Sequence, residues 1–374
     1  MSKSLLERLP GIVAAGKRQA AQILEQLEGQ NRVSLQTREL VIPSKDRAGL
    51  NLFGDRADEV TESSPNRLIY GDNLLAMAAL LAGDGESPSM RGKVDLVYID
   101  PPFDSKADYR TKIKLPGVVI DQKPTVLEQF AYSDTWSDGT ASYLAMIAPR
   151  LMLMRELLSD QGSIFVHLDW HVGHYVKLLM DEVLGKDNFV NEIVWKRKGG
   201  SANPSNRLGV VTDSIFWYSK SDSPTVNQLF TLDSPETKKY IKERFVNVDK
   251  DTGRRYMKSP IVSPNPRPNL TYEYRGYTPP RNGWSISLDV MQRWESENRL
   301  YFPPLGQGDR IYRKIYLDEY VGQPVQNLWT DVFVINPVAK ERLEFDTQKP
   351  ESLLQRIIEL TTGEGSLVAD FFAG

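Results

Sequence analysis

The segment Asp100-Pro101-Pro102-Phe103 places a carboxylate, two rigid prolines and an aromatic ring in four consecutive residues. It directly follows the apolar run 94–99, which has the composition of a buried strand. In an open parallel sheet the carboxyl ends of the strands form the ligand crevice, so these four residues would lie where a substrate binds. A simpler interpretation is that the two prolines only end the strand.

Such a group of residues fits the alkylation of an exocyclic amine on a nucleobase, whose lone pair is delocalised into the ring and is a poor nucleophile. The Asp100 carboxylate and the Pro101 carbonyl could each accept an N–H hydrogen bond and stabilise the positive charge that develops on nitrogen. Pro101 and Pro102 would keep this backbone rigid. Phe103 could stack on a base extruded from a duplex.

Alternating strand-like and helix-like segments surround these residues and predict an α/β fold with a doubly wound, mostly parallel sheet, because the strands are continuously apolar. The first residues, 4–30, predict one or two amphipathic helices. The remaining predicted strands are 68–70, 94–99, 163–168 and 366–369, and the predicted helices are 73–81, 143–158, 175–183 and one that opens at Pro350.

The α/β pattern disappears between about 221 and 326, where turn residues accumulate, notably in the proline-rich stretch 259–268. We therefore predict a helical N-terminal extension at 1–66, an α/β domain formed by 67–220 and 327–374, and an inserted module at 221–326.

Charge is segregated along the chain, although the net charge is only -3. Residues 191–330 carry 21 Lys and Arg against 15 Asp and Glu, and the rest of the chain is acidic. A basic block interleaved with aromatic residues suggests contact with nucleic acid, and a solvated surface is the alternative. The residues we expect to bind DNA are Lys196, Arg197, Lys198, Arg254, Arg255, Arg275 and Arg281.

Composition also excludes several classes of protein. The chain has no cysteine, which rules out disulfides, thiolate zinc sites and cysteine nucleophiles. No apolar run approaches the roughly 20 residues of a membrane span, so we expect no membrane partner and a cytoplasmic location.

Six segments follow one another in a fixed order along the chain. They are Gly71-Asp72-Asn73-Leu74, Asp100-Pro101-Pro102-Phe103, Gly162 to Asp169, Asn191 to Trp195, Gln348-Lys349-Pro350-Glu351 and Asp370-Phe371-Phe372-Ala373-Gly374. This ordered set resembles the β-class DNA amino-methyltransferases, and especially the modification subunits of type III restriction systems. The resemblance covers most of the chain.

The resemblance implies the class I S-adenosylmethionine-dependent methyltransferase fold, with the inserted module serving as a target-recognition domain. Aspartate at position 100 is the variant associated in this family with adenine, so the expected reaction is methylation of adenine N6 in double-stranded DNA by base flipping. Three alternatives stay open: methylation of cytosine N4, a truncated non-catalytic DNA-binding fragment, and RNA methylation.

The same resemblance implies S-adenosylmethionine as the cofactor, two segments that bind it, and a separate contact to its adenine. The simpler interpretations are a helix start for the first segment, a strand-ending glycine for the second, and a helix cap for the adenine contact. The residues concerned are Gln348, Lys349 and Pro350 in one segment, Asp370, Phe371, Phe372 and Gly374 in the other, and Asp72 and Asn73 at the adenine contact.

Three histidines, His167, His171 and His174, lie close to Asp169 and invite comparison with a metal site. We expect no metal, because a sulfonium methyl donor is already activated; His167 and Asp169 would instead line the crevice.

The family's last motif normally continues past the position of Gly374, so we expect this chain to be truncated at its C-terminus. The partners implied are double-stranded DNA, a second copy of the chain in a homodimer, and a restriction subunit.

Overall fold

A computed structural model of the chain describes residues 4–27, 35, 66–83, 88–102, 111–115, 118–122, 139–198, 206, 208–306, 310–336, 339–343 and 347–373. The chain divides into two compact units, Met1–Asn227 with Val332–Gly374, and Gln228–Asp331. Asn227 stays with the larger unit because its side chain donates to the Glu359 and Thr362 carbonyls. Both boundaries lie a few residues C-terminal to the expected ones.

The described α-helices are α1 (Leu5–Leu27), α2 (Asn73–Ala82), α3 (Thr140–Leu157), α4 (Gly173–Leu184), α5 (Pro235–Arg244), α6 (Leu288–Ser296) and α7 (Glu351–Thr361). Short 3-10 helices span Lys186–Asn188, Pro268–Leu270 and Leu317–Glu319. Within the described ranges, no helix combines the length and the apolar composition that crossing a membrane requires.

The described strands are β1 (Val94–Ile99), β2 (Thr111–Leu115), β3 (Val118–Gln122), β4 (Leu158–Leu168), β5 (Phe189–Lys196), β6 (Thr212–Ser219), β7 (Phe230–Thr231), β8 (Asn247–Val248), β9 (Arg255–Pro260), β10 (Leu300–Tyr301), β11 (Tyr312–Tyr316), β12 (Gln323–Pro324), β13 (Leu328–Trp329) and β14 (Val368–Asp370). The strands β2 and β3 pair as an antiparallel hairpin.

The larger unit is built on a mostly parallel sheet in which neighbouring strands lie in the order β5-β6-β4-β1-β14. Strand β1 is parallel to both of its neighbours, whereas β6 runs antiparallel to β4 and β5. Side chains on both faces of β1 and β4 are buried, which explains why their sequences are continuously apolar. The predicted α/β fold is confirmed.

Helices cover both faces of this sheet. One face packs against α1, α2, α3 and α4 through a core that includes Val97 and Ile99 of β1 and Ile164 and Val166 of β4. Helix α7 contacts β1 and buries Leu353 and Ile357 outside that core. Because strand side chains alternate between faces, the intervening residues of β1 point toward the α7 side.

The N-terminal segment forms one helix, α1, where one or two were expected. Its apolar face lies against α3, and Gly16 makes the close approach possible. A Cβ at position 16 would lie 2.8 Å from the Cβ of Ala148. Any larger residue there would push the two helices apart, because packed interiors lack the space to absorb a methyl group.

The strand predicted at 68–70 is wrong. Residues 66–70 lie outside any regular element, and Leu68 and Tyr70 are 95% and 87% exposed. The two strands that pair with β1 are β4 and β14, both from later in the sequence. A three-residue apolar run that pairs with no other strand would leave its backbone N–H and C=O groups without partners if it were buried, so it stays exposed to water.

The smaller unit contains a four-stranded antiparallel sheet in the order β10-β11-β9-β8 and a separate β7–β12 pair. None of these strands was predicted, because most are two residues long and prolines separate them. This unit has a small aromatic core of its own, with Trp284 and Met291 fully buried at its centre.

A buried carboxylate, Asp249, joins several parts of the smaller unit. Its Oδ2 accepts hydrogen bonds from Lys314 Nζ at 2.7 Å and the Tyr316 hydroxyl at 2.8 Å, and its Oδ1 accepts from the Asp251 and Thr252 amides. Burial alone would raise the pKa of Asp249, but these hydrogen bonds outweigh it and hold the pKa well below its usual value.

We therefore expect Asp249→Ala to lower the free energy of unfolding by about 3–5 kcal/mol, because the buried Lys314 ammonium would lose its counter-charge. Urea unfolding followed by tryptophan fluorescence measures this loss. In the wild type the contribution is complete above about pH 4, near the unfolded-state pKa, and disappears as the pH falls through the lower folded-state pKa. Exposed Asp251→Ala is the matched control; an equal effect of both variants would contradict the assignment.

Candidate active site

The carboxyl ends of β14, β1 and β4 meet at one edge of the larger sheet because the three strands are parallel neighbours. Tyr98 is in register with Asp370 on one side and with Phe165 on the other. Asp100 is the first residue after β1, two positions beyond Tyr98. Segments separated by more than two hundred residues in sequence thus share one edge.

Asp100 divides its two carboxylate oxygens between different environments. Its Oδ2 accepts a hydrogen bond from the Lys349 ammonium, which also donates to the Thr347 carbonyl at 3.2 Å. Its Oδ1 is buried and accepts no hydrogen bond from any described residue. A buried carboxylate oxygen without a donor is costly, so this oxygen is available to a ligand N–H group.

Asp370 adds a second carboxyl to this edge. Its pKa is raised to about 6, chiefly because protein surrounds the carboxyl even though part of the residue reaches solvent at the rim. The Phe372 amide donates to Asp370 at 2.8 Å and lowers the pKa, the charge of Asp100 raises it, and Lys349 opposes Asp100. The positive charge of Lys349 therefore partly offsets the effect of the Asp100 charge on the pKa of Asp370.

The start of α2 is tied to the end of β14 through Asn73. Its Nδ2 donates to the Phe371 carbonyl at 2.9 Å, and its Oδ1 accepts from Arg150 Nε at 2.6 Å. Asp72 caps α2 by accepting from the Leu74 amide at 2.9 Å and also pairs with Arg150. Burial lowers the pKa of Arg150, and the Asp72 charge opposes that shift.

A buried chain of polar side chains crosses β1, β4 and β6 behind this edge. The Tyr98 hydroxyl lies 2.9 Å from His167 Nδ1, and His167 Nε2 lies 3.4 Å from Asp213 Oδ2. Since a carboxylate only accepts, we assign the ring N–H to Nε2, so that Nδ1 accepts from Tyr98. Asp213 Oδ1 lies 3.3 Å from Arg197 Nε.

Burial raises the pKa of Tyr98 well above its usual value, and the charges of Asp100, Asp370 and Asp213 add to the shift. The hydroxyl therefore keeps its proton and can act as the donor that the assignment of His167 requires.

The family model of N6/N4 DNA methylases matches residues 94–374, which include β1, its Asp100 and the C-terminal segments that meet them. The chain belongs to this DNA methylase family. The predicted resemblance to DNA amino-methyltransferases is thereby confirmed.

Curated relatives of this chain include the StyLTI Mod subunit of a type III restriction-modification enzyme from Salmonella typhimurium, 28% identical over 84% of this chain. The type II methyltransferase M.EcaI of Enterobacter cloacae is 26% identical over 90% of it. The chain spans 49% of the length of the first relative and 68% of the second.

Among solved structures, one assigned as a DNA modification methylase of Thermus thermophilus is 12% identical to this chain. The match covers 81% of this chain and 78% of the other, with a TM-score of 0.35.

The segments that sequence analysis selected around the cofactor partly converge. Lys349 and Asp370 lie beside Asp100, and Asn73 bonds to Phe371. Gln348 points elsewhere: it accepts from the Leu343 amide at 2.7 Å and donates to the Glu341 carbonyl at 2.8 Å. Pro101 is buried, Pro102 and Phe372 are half-buried, and Pro350 is buried where α7 begins; Phe103 and Gly374 lie outside the described residues.

An internal carboxylate already binds the first amide of α7, since Glu341 Oε2 accepts from the Glu351 amide at 3.1 Å. Amides at a helix start can bind an anion such as the methionine carboxylate of the cofactor. A cofactor carboxylate at α7 would have to share the helix start with Glu341 or displace it.

The residues predicted to bind DNA fall into two groups: arginines that already contact acceptors within the protein, and exposed basic residues that pair with no described acidic group. Arg254 pairs with Asp318 and Glu319, and Arg275 pairs with Glu295 at 2.6 Å. Arg255 donates to the Phe245 carbonyl, and Arg197 pairs with Asp213. Lys196, Lys198 and Arg281 are exposed and pair with no acidic group in the described part of the chain. Their role in DNA binding stays a prediction.

Sequence analysis missed Arg150 and the partners of His167. His167 is fully buried and does not line the crevice as expected. No local pattern reveals that Asp213, 46 residues later, lies beside it, because this depends on how β6 pairs with β4. The apolar residues around Arg150 in α3 were the one available signal, since a cation in a helix buried on most sides requires a partner.

We expect Tyr98→Phe to lower the free energy of unfolding by about 1–3 kcal/mol, because the buried Nδ1 of His167 would lose its donor. Urea unfolding measures the change. Tyr175→Phe, which removes a hydroxyl from the partly exposed surface of α4, serves as the control. Equal stabilities of the two variants would show that the Tyr98–His167 contact contributes nothing.

The shifted titration of Asp370 gives a second test. Carbon-13 NMR of the aspartate carboxyls should show one group with a pKa of about 6. Asp100→Asn removes a negative charge and should lower that midpoint, whereas Lys349→Met removes a positive charge and should raise it. Shifts in the same direction for both variants would contradict the charge arrangement described here.

Proposed function

We propose that the chain transfers a methyl group from S-adenosylmethionine to the N6 amino group of adenine in double-stranded DNA. The observation that carries this proposal is the divided carboxylate of Asp100: Lys349 holds Oδ2, and the buried Oδ1 has no donor among the described residues. An amine N–H placed against Oδ1 would complete the hydrogen bonding of the site.

The described residues fit the cofactor. Polar groups of Asp72 and Asn73 and the main chain of Phe371 lie together at the end of β14, beside the partly buried rings of Phe371 and Phe372. This combination of polar edge and apolar face suits a nucleoside. When bound, S-adenosylmethionine supplies a methyl group on a sulfonium leaving group.

The protein's own contribution is positioning and charge. Asp100 Oδ1 would accept one amine N–H, and the Pro101 carbonyl would accept the other, which aligns the nitrogen lone pair with the methyl carbon. As the N–C bond forms, positive charge grows on nitrogen and the carboxylate stabilises it. The nitrogen then releases a proton to Asp100 and from there to solvent. Lys349 keeps the carboxylate oriented throughout.

The family includes methylases of both N6 and N4 amines, so family membership alone does not specify the base. We assign adenine from the aspartate at position 100, the first residue of the tetrapeptide. Duplex DNA as the substrate requires eversion of the base, since the amine is otherwise paired inside the helix. Cytosine N4 methylation would use the same carboxylate, and the product analysis below separates the two.

We propose two partners for this chain. The StyLTI relative is a Mod subunit of a type III restriction-modification enzyme, so a restriction subunit is a candidate by similarity. A second copy of the chain is a further hypothesis from the sequence analysis. Co-purification with a restriction subunit and sedimentation of the chain alone would test them separately.

We expect Asp100→Asn to lower kcat for methylation by about 10²- to 10³-fold while DNA and cofactor binding change little, because the carboxylate acts mainly on charge that develops during transfer. Methyl groups from labelled cofactor should appear in N6-methyladenine when the product DNA is digested to nucleosides.

Asp160→Asn provides the matched control, since this exposed aspartate lies in the first part of β4, away from the carboxyl edge of the strand. Retained turnover in Asp100→Asn would remove this residue from the mechanism. Label in N4-methylcytosine would correct the base, and DNA binding without any methylated product would favour a non-catalytic DNA-binding protein.

A further inference from the structure

Trp170 is an exposed aromatic residue directly after β4. Its side chain is 53% exposed, whereas Trp195, Trp217, Trp284 and Trp329 are buried. A single exposed apolar side chain is ordinary in a protein surface, so what distinguishes Trp170 is its location after β4 and the ring that supports it.

The ring of Trp170 is supported from behind. It stacks on the imidazole of His171, with centroids 3.9 Å apart and planes inclined by 28°. Asp169 contacts His171 twice: its Oδ1 accepts from the His171 backbone amide at 2.9 Å, and its Oδ2 lies 2.5 Å from the ring Nδ1. Asp169 is itself buried. The indole is therefore held in one orientation before any ligand arrives.

Its position identifies the side of the site that it serves. Strands β14, β1 and β4 end at the same edge, with β1 and Asp100 in the middle. The residues that fit the cofactor, around Asn73 and Phe371, lie at the β14 side. Trp170 follows β4 on the other side of Asp100, where the base must approach if the cofactor approaches from β14.

We propose that Trp170, supported by His171, is a stacking platform for a nucleobase of the DNA substrate. This inference rests on the proposed function in taking DNA as the ligand. One face of the indole is covered by His171, and the other offers a flat π surface that matches the face of a purine. Asp169 and His171 are positioning residues, which act through Trp170.

The test uses binding that needs no turnover. Fluorescence anisotropy at low salt compares a single-stranded oligonucleotide of twelve deoxyadenosines with an abasic strand of equal length and charge. The wild type should bind the adenine strand more tightly. Trp170→Ala should weaken its binding by roughly 5- to 100-fold, because base stacking on an aromatic ring contributes that much per base, and should leave the abasic strand unchanged.

Trp170→Phe should retain most of the preference, since it keeps a ring, and His171→Ala should lose part of it. Leu178→Ala, which removes another exposed apolar side chain from α4, is the control. Because residue 170 is exposed, the thermal midpoint of Trp170→Ala should stay close to that of the wild type.

Three outcomes would overturn the proposal: no preference for adenine in the wild type, equal weakening of both strands by Trp170→Ala, or loss of S-adenosylmethionine binding with the adenine preference intact. The last would assign the ring to the cofactor. A chain that discriminates the two strands but methylates nothing would instead contradict the proposed function and leave the platform standing.

Discussion

The ion pair between Lys349 and Asp100 is the interaction on which the candidate site depends, because it joins residues 249 positions apart in the sequence. Without Lys349, the negative charge of Asp100 would act on Asp370 at the same edge of the sheet with no cation to offset it. Like charges in a partly buried setting repel strongly. Lys349 relieves that repulsion and leaves one oxygen of Asp100 free to accept from a substrate.

The topology delivers Lys349 to this position. Strand β1 is held at its start as well as its end, since Asp95 accepts from the Leu367 amide at 2.9 Å and from Ser159 at 2.9 Å. The first contact fixes β14 and the second fixes β4. Because the chain returns to β1 only after α7, the smaller unit can be inserted between β6 and β14 without interrupting the sheet.

The sequence was sufficient to predict those elements that have a clear hydrophobic pattern and a marked start and end. Strand β1 has the predicted bounds, and α2 ends one residue beyond them, since their apolar patterns are continuous and a turn or cap residue stands at each end. The strand predicted at 68–70 was wrong because an apolar run does not specify a pairing partner, and both neighbours of β1 come from later in the sequence.

Side-chain partners were harder to predict than elements. Asp100 could be singled out because it follows a buried strand, but its partner Lys349 had been assigned to the cofactor. The Tyr98–His167–Asp213 chain depends on the register between three strands, which hydrophobic periodicity does not specify.

The basic balance of residues 191–330 also has a different meaning in the structure than in the sequence. Arg254 is held by Asp318 and Glu319 and packs over the Tyr316 ring at 3.8 Å, and Arg275 is held by Glu295. A phosphate that recruited these guanidinium groups would have to displace their carboxylates first, which cancels much of the electrostatic gain.

Exposed Lys196, Lys198 and Arg281 have no such competitor among the described residues. Net charge therefore overstates the affinity that this region offers to DNA, and the salt dependence of binding should count the exposed cations rather than the total.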